Sequence, residues 1–198
     1  MGRSEGFEIP TWEYIYTLLL ELANRIQISN FRADTLVGIS RGGWIPARVL
    51  SDLLSIHDIA NVRAEFYLGV DETKPEPVIT QPISTDVGNK RVLVVDDVAD
   101  TGKSLRLVVT HLLKQGAKEL KIATLYYKPW SVTLPDYYEK TTRDWIIFPW
   151  ERKEALKKVV EKSKKQGKSI EATKETLIKS GYCRELVDQF LTEIAEGC

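Results

Sequence analysis

Val92-Leu93-Val94-Val95-Asp96-Asp97-Val98-Ala99-Asp100-Thr101-Gly102-Lys103-Ser104-Leu105 is the stretch on which the reading of the chain turns. Its first four residues are apolar without a break, the pattern of a strand buried on both faces in a parallel sheet. Three carboxylates follow, on Asp96, Asp97 and Asp100. Thr101, Gly102, Lys103 and Ser104 make a small polar turn, after which Leu105, Val108 and Leu112 recur on one helical face. A strand that turns directly into a helix delivers its acids to the carboxyl edge of the sheet, where open α/β sheets bind ligands. The helix start presents N–H groups without helical partners and the positive end of a dipole, which suits phosphate. Carboxylates repel phosphate, so Asp96 and Asp97 must face another part of the ligand, either its hydroxyl groups or a bound Mg²⁺.

Two other motifs share pieces of this stretch. A P-loop ends in Gly-Lys-Ser, but it needs a glycine where Asp97 stands. A receiver-type signalling domain also has a strand ending in two acids and a later Lys-Pro pair. It needs a phosphoacceptor aspartate between them, and from Ser104 to Lys128 the only acid is Glu119.

Working outward, Trp12, Ile15, Leu19, Leu22 and Ile26 fall on one face of a first helix, with Pro10 at its first turn. Thr35 to Ile39 is a second buried strand. It ends in Ser40-Arg41-Gly42-Gly43, and Ile45, Val49 and Leu53 then mark a helix. Val62 to Leu68 and Leu120 to Tyr127 read as strands, and Asp144 to Phe148 as a last short one. Strands alternating with helices predict an α/β fold, a central parallel sheet flanked by helices. Residues 69–90, with Gly69, Pro75, Pro77, Pro82 and Gly88, read as one long connection of the kind used for lids.

The quoted stretch resembles the signature of type I phosphoribosyltransferases that binds phosphoribosyl pyrophosphate (PRPP). The resemblance covers roughly residues 10–151 and implies that family's fold, with Mg²⁺ as cofactor. It implies that Asp96 and Asp97 hold the ribose hydroxyls, directly or through Mg²⁺, and that Asp100, Thr101, Gly102, Lys103 and Ser104 wrap the 5′-phosphate. Asp100 would lie near N7 of the base and handle its proton. Ser40, Arg41 and Gly42 resemble the family's pyrophosphate loop, which often holds a non-proline cis peptide. Lys74 is the one cation within the lid-like connection before Lys90.

Lys128-Pro129, Trp145-Ile146 and Pro149-Trp150-Glu151 resemble the hood of purine phosphoribosyltransferases of the xanthine-guanine and hypoxanthine-guanine type. That implies Lys128 donating to O6 of a purine, Trp145 stacking on its ring and the Ile146 backbone reading N1/N2. An ammonium suits a 6-oxopurine and clashes with the N6 amino group of adenine. Adenine remains the alternative base, and a PRPP- or nucleotide-sensing regulator the alternative class. A homo-oligomer, dimer or larger, goes with the resemblance.

Composition changes after Trp150, where residues 151–168 carry eight Lys/Arg against three Glu. The i,i+4 pairs Glu154/Lys158 and Glu161/Lys165, the cap Ser169 and the breakers Gly167 and Gly181 predict a helical appendage over 151–198, after a core of 1–150 with a hood at 127–150. The chain has 28 Lys/Arg and 28 Asp/Glu, so nothing in its charge points to nucleic acid. With two cysteines, Cys183 and Cys198, and no Cys/His cluster, no zinc site is expected. The lack of an apolar segment at the start or of a run of about 18 apolar residues predicts a cytoplasmic protein without a membrane span.

Overall fold

The computed structural model describes residues 6–67 and 76–195. Leu68 and Lys74 therefore lie outside the described residues, as does Cys198. Contacts divide the chain into two compact units: residues 15–142, and residues 1–14 together with 143–198.

The larger unit is built on strands β2 (Thr35–Ser40), β3 (Ile59–Tyr67), β4 (Glu76–Gln81), β5 (Arg91–Ala99), β6 (Glu119–Tyr127) and β7 (Tyr137–Thr141), after a two-residue β1 (Phe7–Glu8) in the other unit. Their order is β4-β3-β2-β5-β6-β7. Every neighbouring pair is parallel except β3 with β4. From β2 the chain crosses through α2 (Trp44–Leu53) toward β3, and from β5 it crosses through α3 (Lys103–Lys114) toward β6. The two crossovers leave in opposite directions, so β2 and β5 flank a topological switch point, where such sheets open a crevice.

The alternation of side chains across the strands explains both layers. Val37, Ile39, Val92 and Val94 bury against Leu105, Val108 and Leu112 of α3. Gly38 points the other way, and a Cβ added there would come within 2.8 Å of Ala47 Cβ on α2. That close approach corrects the face read for α2. Ala47 and Leu50 are buried, while Ile45, Val49 and Leu53 are only half-buried. Helix α1 (Trp12–Ile28) buries Ile15, Leu19, Leu22 and Ile26 as expected, but Trp12 is 52 % exposed. Its start is marked by Thr11, whose hydroxyl accepts the Tyr14 N–H at 3.1 Å.

Two expectations about connections also change. Part of the long 69–90 segment is β4, an edge strand antiparallel to β3, and Ile83 and Val87 beyond it join the core. Strand β5 does not stop at Val95. It runs through both acids to Ala99, because β6 offers it partners as far as Tyr127.

In the smaller unit β1 pairs in parallel with β8 (Trp145–Ile146). Helices α4 (Arg152–Lys165), α5 (Ile170–Lys179) and α6 (Arg184–Ala195) follow. Lys158 pairs with Glu154 at 2.7 Å, Ser169 caps α5 through the Ala172 N–H at 3.1 Å, and Gly167 and Gly181 take left-handed φ of 70° and 100°. Leu156, Val160, Leu177 and Val187 of the helices share one core with Ile147, Phe7 and Trp145. The segment 127–150 is thus divided, with residues from Arg143 onward packed among the tail helices. No helix among the described residues is long and apolar enough to cross a membrane.

Candidate active site

The 40–43 turn and the acidic stretch of β5 meet at the switch point. A Cβ added at Gly42 would overlap the Asp97 carboxylate. One added at Gly43 would stand 2.6 Å from the Val95 carbonyl oxygen and 2.7 Å from the Asp96 Cα. Ser40-Arg41-Gly42-Gly43 therefore lies directly against the acidic end of β5, with glycine at both points of contact. The Ser40–Arg41 peptide bond is cis, and Arg41 is exposed at the rim.

Asp96 and Asp97 lie in β5 directly after the fully buried Val92–Val95. Each carboxylate accepts the N–H that follows it, Asp97 N–H to Asp96 at 3.0 Å and Val98 N–H to Asp97 at 2.8 Å. Burial, and after it the adjacent Asp97 charge, pushes the pKa of the Asp96 carboxyl well above the usual carboxylate range. Two crowded acids of this kind are relieved by hydroxyl donors or by a hard cation. Their oxygen-only donor set suits Mg²⁺, which is usually held by one or two carboxylates together with substrate oxygens.

Beyond the acids, Asp100 is exposed and Thr101 and Gly102 carry the chain into α3. Gly102 is the N-cap of that helix, with φ 75° and no side-chain cap bond; the Lys103 N–H donates to the Thr101 hydroxyl at a long 3.4 Å, and the helix start faces the turn. A cavity of about 170 Å³ lies over it, lined by Phe66, Val98, Asp100, Thr101, Gly102 and Ser104. Lys103 is engaged elsewhere: its ammonium pairs with Glu76 on β4.

Lys128 follows β6 and is 5 % exposed. Its N–H donates to the Ala99 carbonyl at 3.1 Å, which ties the lysine to the acidic turn. Between them stands Trp130, a residue that the sequence reading passed over. Its indole N–H donates to Asp100 Oδ1 at 3.0 Å, and the Lys128 ammonium lies 5.7 Å from its ring centroid. Its only sequence signal is its place two residues after Lys128.

Trp145 and Ile146 belong to the smaller unit. Trp145 is half-buried, its ring centroid 6.2 Å from that of Phe7 and 5.9 Å from the Lys162 ammonium on α4. Ile146 is buried on the strand paired with Phe7–Glu8. The contact from Lys162 comes from the tail, and no periodicity in the sequence signals it.

Known proteins share the family and the fold. The model of the phosphoribosyl transferase domain matches residues 8–155. The xanthine-guanine phosphoribosyltransferase of Cereibacter sphaeroides is 33 % identical over 157 residues, covering 76 % of this chain and 90 % of that protein. The purine phosphoribosyltransferase of Pyrococcus horikoshii Ot3 superposes with a TM-score of 0.66 at 42 % identity, over 73 % of this chain and 93 % of that one. A Neisseria gonorrhoeae protein solved with ppGpp bound gives a TM-score of 0.67 at 27 % identity, over 76 % and 92 % of the two chains. On the strength of that match and of the crevice it spans, the chain belongs to the phosphoribosyl transferase domain family.

Proposed function

We propose that the protein is a purine phosphoribosyltransferase that moves the ribose-5-phosphate of PRPP onto N9 of a 6-oxopurine and releases pyrophosphate. The observation that carries this reading is the close contact of the 40–43 turn with Asp96 and Asp97 at the sheet's switch point. It brings a backbone cradle with an arginine beside two carboxylates, which is what a sugar carrying both hydroxyls and a pyrophosphate requires. The names of the relatives, xanthine-guanine and purine phosphoribosyltransferases, point the same way.

In this reading the N–H groups of the 101–104 turn and the Ser104 hydroxyl bind the 5′-phosphate, with the dipole of α3 behind them. Asp96 and Asp97 take the ribose 2′- and 3′-hydroxyls and would hold Mg²⁺. When bound, Mg²⁺ supplies positive charge that offsets the charge of the leaving pyrophosphate. Backbone N–H groups of the 40–43 turn and Arg41 receive that pyrophosphate as positive charge grows on the ribose ring. Asp100 acts as general acid/base at N7. Lys128 donates to O6, a contact that adenine with its N6 amino group refuses. Lys103, being paired with Glu76, serves through its N–H more than through its charge.

A cytoplasmic location and a homo-oligomer complete the proposal. The oligomer is supported by Trp12, Tyr16 and Leu20, which recur every fourth residue on α1 and are 52 %, 50 % and 45 % exposed. Incubation with Mg²⁺, PRPP and guanine is expected to yield the nucleoside 5′-monophosphate and pyrophosphate in equal amounts. Pyrophosphate release that is indifferent to added base would refute the transfer.

A further inference from the structure

The loop leaving β6 is fastened to the acidic turn at four points. The Lys128 N–H donates to the Ala99 carbonyl at 3.1 Å and the Val132 N–H to the Thr101 carbonyl at 3.0 Å. The Thr133 hydroxyl donates to the Gly102 carbonyl at 2.9 Å. These three bonds hold backbone, and the packing under them is tight, since a Cβ added at Gly102 would meet the Thr133 nitrogen at 2.6 Å. The fourth bond reaches a side chain with a chemical role, running from the Trp130 indole N–H to Asp100 Oδ1 at 3.0 Å. The same indole lies 5.7 Å from the Lys128 ammonium, within cation–π range.

We propose that Trp130 is a positioning residue for both edges of the purine. Its N–H holds the Asp100 carboxylate in one orientation, and its ring face holds the Lys128 ammonium. The group assigned to N7 and the group assigned to O6 are thereby set from one rigid side chain. The proposal rests on the Asp100 and Lys128 readings above.

The chemistry of indole fits the task. Asp100 is exposed on a turn, so its side chain has rotamers to lose. A bond from N–H to a carboxylate is charge-assisted and strongly orienting. Indole is a donor only, so it cannot take the proton that Asp100 exchanges with the base. It occupies Oδ1 and leaves Oδ2 for N7. A histidine or tyrosine in its place would bring a competing acceptor into the proton path.

A double-mutant cycle with steady-state kinetics tests this. Trp130→Phe keeps a ring beside Lys128 and deletes the N–H. It is expected to lower kcat roughly tenfold, with the KM values for PRPP and guanine within about twofold of wild type. Trp130→Leu removes ring and N–H together, and should also raise the KM for guanine several-fold. On an Asp100→Asn background Trp130→Phe should cause no further loss, because the oriented group no longer acts. Near-normal turnover by Asp100→Asn alone would overturn the Asp100 reading and this proposal with it. A large loss from Asp100→Asn, with Trp130→Phe either silent in wild type or costing the same factor in both backgrounds, would overturn the positioning role alone. Should Trp130→Leu fail to fold, Trp130→Phe carries the test.

Discussion

Replacing Gly43 with alanine separates the close approach of the 40–43 turn to β5 from every other property of the site. Gly43 has ordinary right-handed backbone, φ −68° and ψ −13°, so alanine adds no backbone strain there. The whole effect is steric. The new Cβ would stand 2.6 Å from the Val95 carbonyl oxygen and 2.7 Å from the Asp96 Cα, where ordinary contact begins at 3.4 Å. The turn must therefore retreat by about 0.8 Å. Strand β5 is pinned by β2 and β6 on either side and cannot do so in its stead. Overpacking of this kind costs about 1–3 kcal/mol, which for a chain of this size lowers Tm by about 2–4 °C per kcal/mol. Moving the pyrophosphate cradle by nearly an ångström should lower kcat/KM for PRPP about 10²-fold, while the KM for the base stays near wild type. The assay is initial-rate nucleotide formation at varied PRPP and saturating guanine, beside a thermal melt. A variant with lowered Tm and wild-type PRPP kinetics would refute the claim that the 40–43 turn meets the pyrophosphate.

Asp100→Asn should lower kcat by roughly 10²–10⁴ with little loss of PRPP binding, as read by rapid-quench turnover and titration calorimetry. Lys128→Met removes a donor to O6 and should lower kcat/KM for guanine about 10–100-fold at unchanged KM for PRPP; competition between guanine and adenine measures the change. For Asp58, the bond from the Thr35 hydroxyl at 2.6 Å and then the Lys90 ammonium at 2.9 Å hold its pKa below the usual carboxylate value. A folded-state pKa below the unfolded one stabilises the fold above the unfolded value, and that contribution is lost as pH falls through the folded one. Urea melts of Asp58→Asn should therefore show a deficit of a few tenths to about 1 kcal/mol at pH 7, small because the pair is partly solvated, and a smaller one at pH 2–3. An equal deficit at both values would contradict the charge argument.

What could be read in the sequence was what local pattern controls. Four apolar residues at 92–95 announce a strand buried on both faces, and the acids and small residues after them announce a ligand-binding turn. Residues placed by tertiary contact could not be read this way. Helix α2 buries Ala47 and Leu50 because Gly38 lets it settle close to β2, a fit that periodicity within α2 does not record. The continuation of β5 to Ala99 depends on the length of β6. Strands β1 and β7 are short, and β7 reads Tyr-Tyr-Glu-Lys-Thr, three of its five residues charged or polar at an edge. Lys103 is drawn to Glu76 through the pairing of an edge strand, and Trp130 reaches Asp100 across 30 positions of sequence.

Parallel product assays with Mg²⁺ and PRPP against hypoxanthine, guanine, xanthine, adenine and orotate test the central claim most directly. The account predicts nucleoside 5′-monophosphate from at least one of the three 6-oxopurines, with adenine and orotate far slower. Adenine turned over alone would contradict the role given to Lys128. PRPP binding without turnover of any base would contradict the enzyme itself and leave a sensor built on the same crevice.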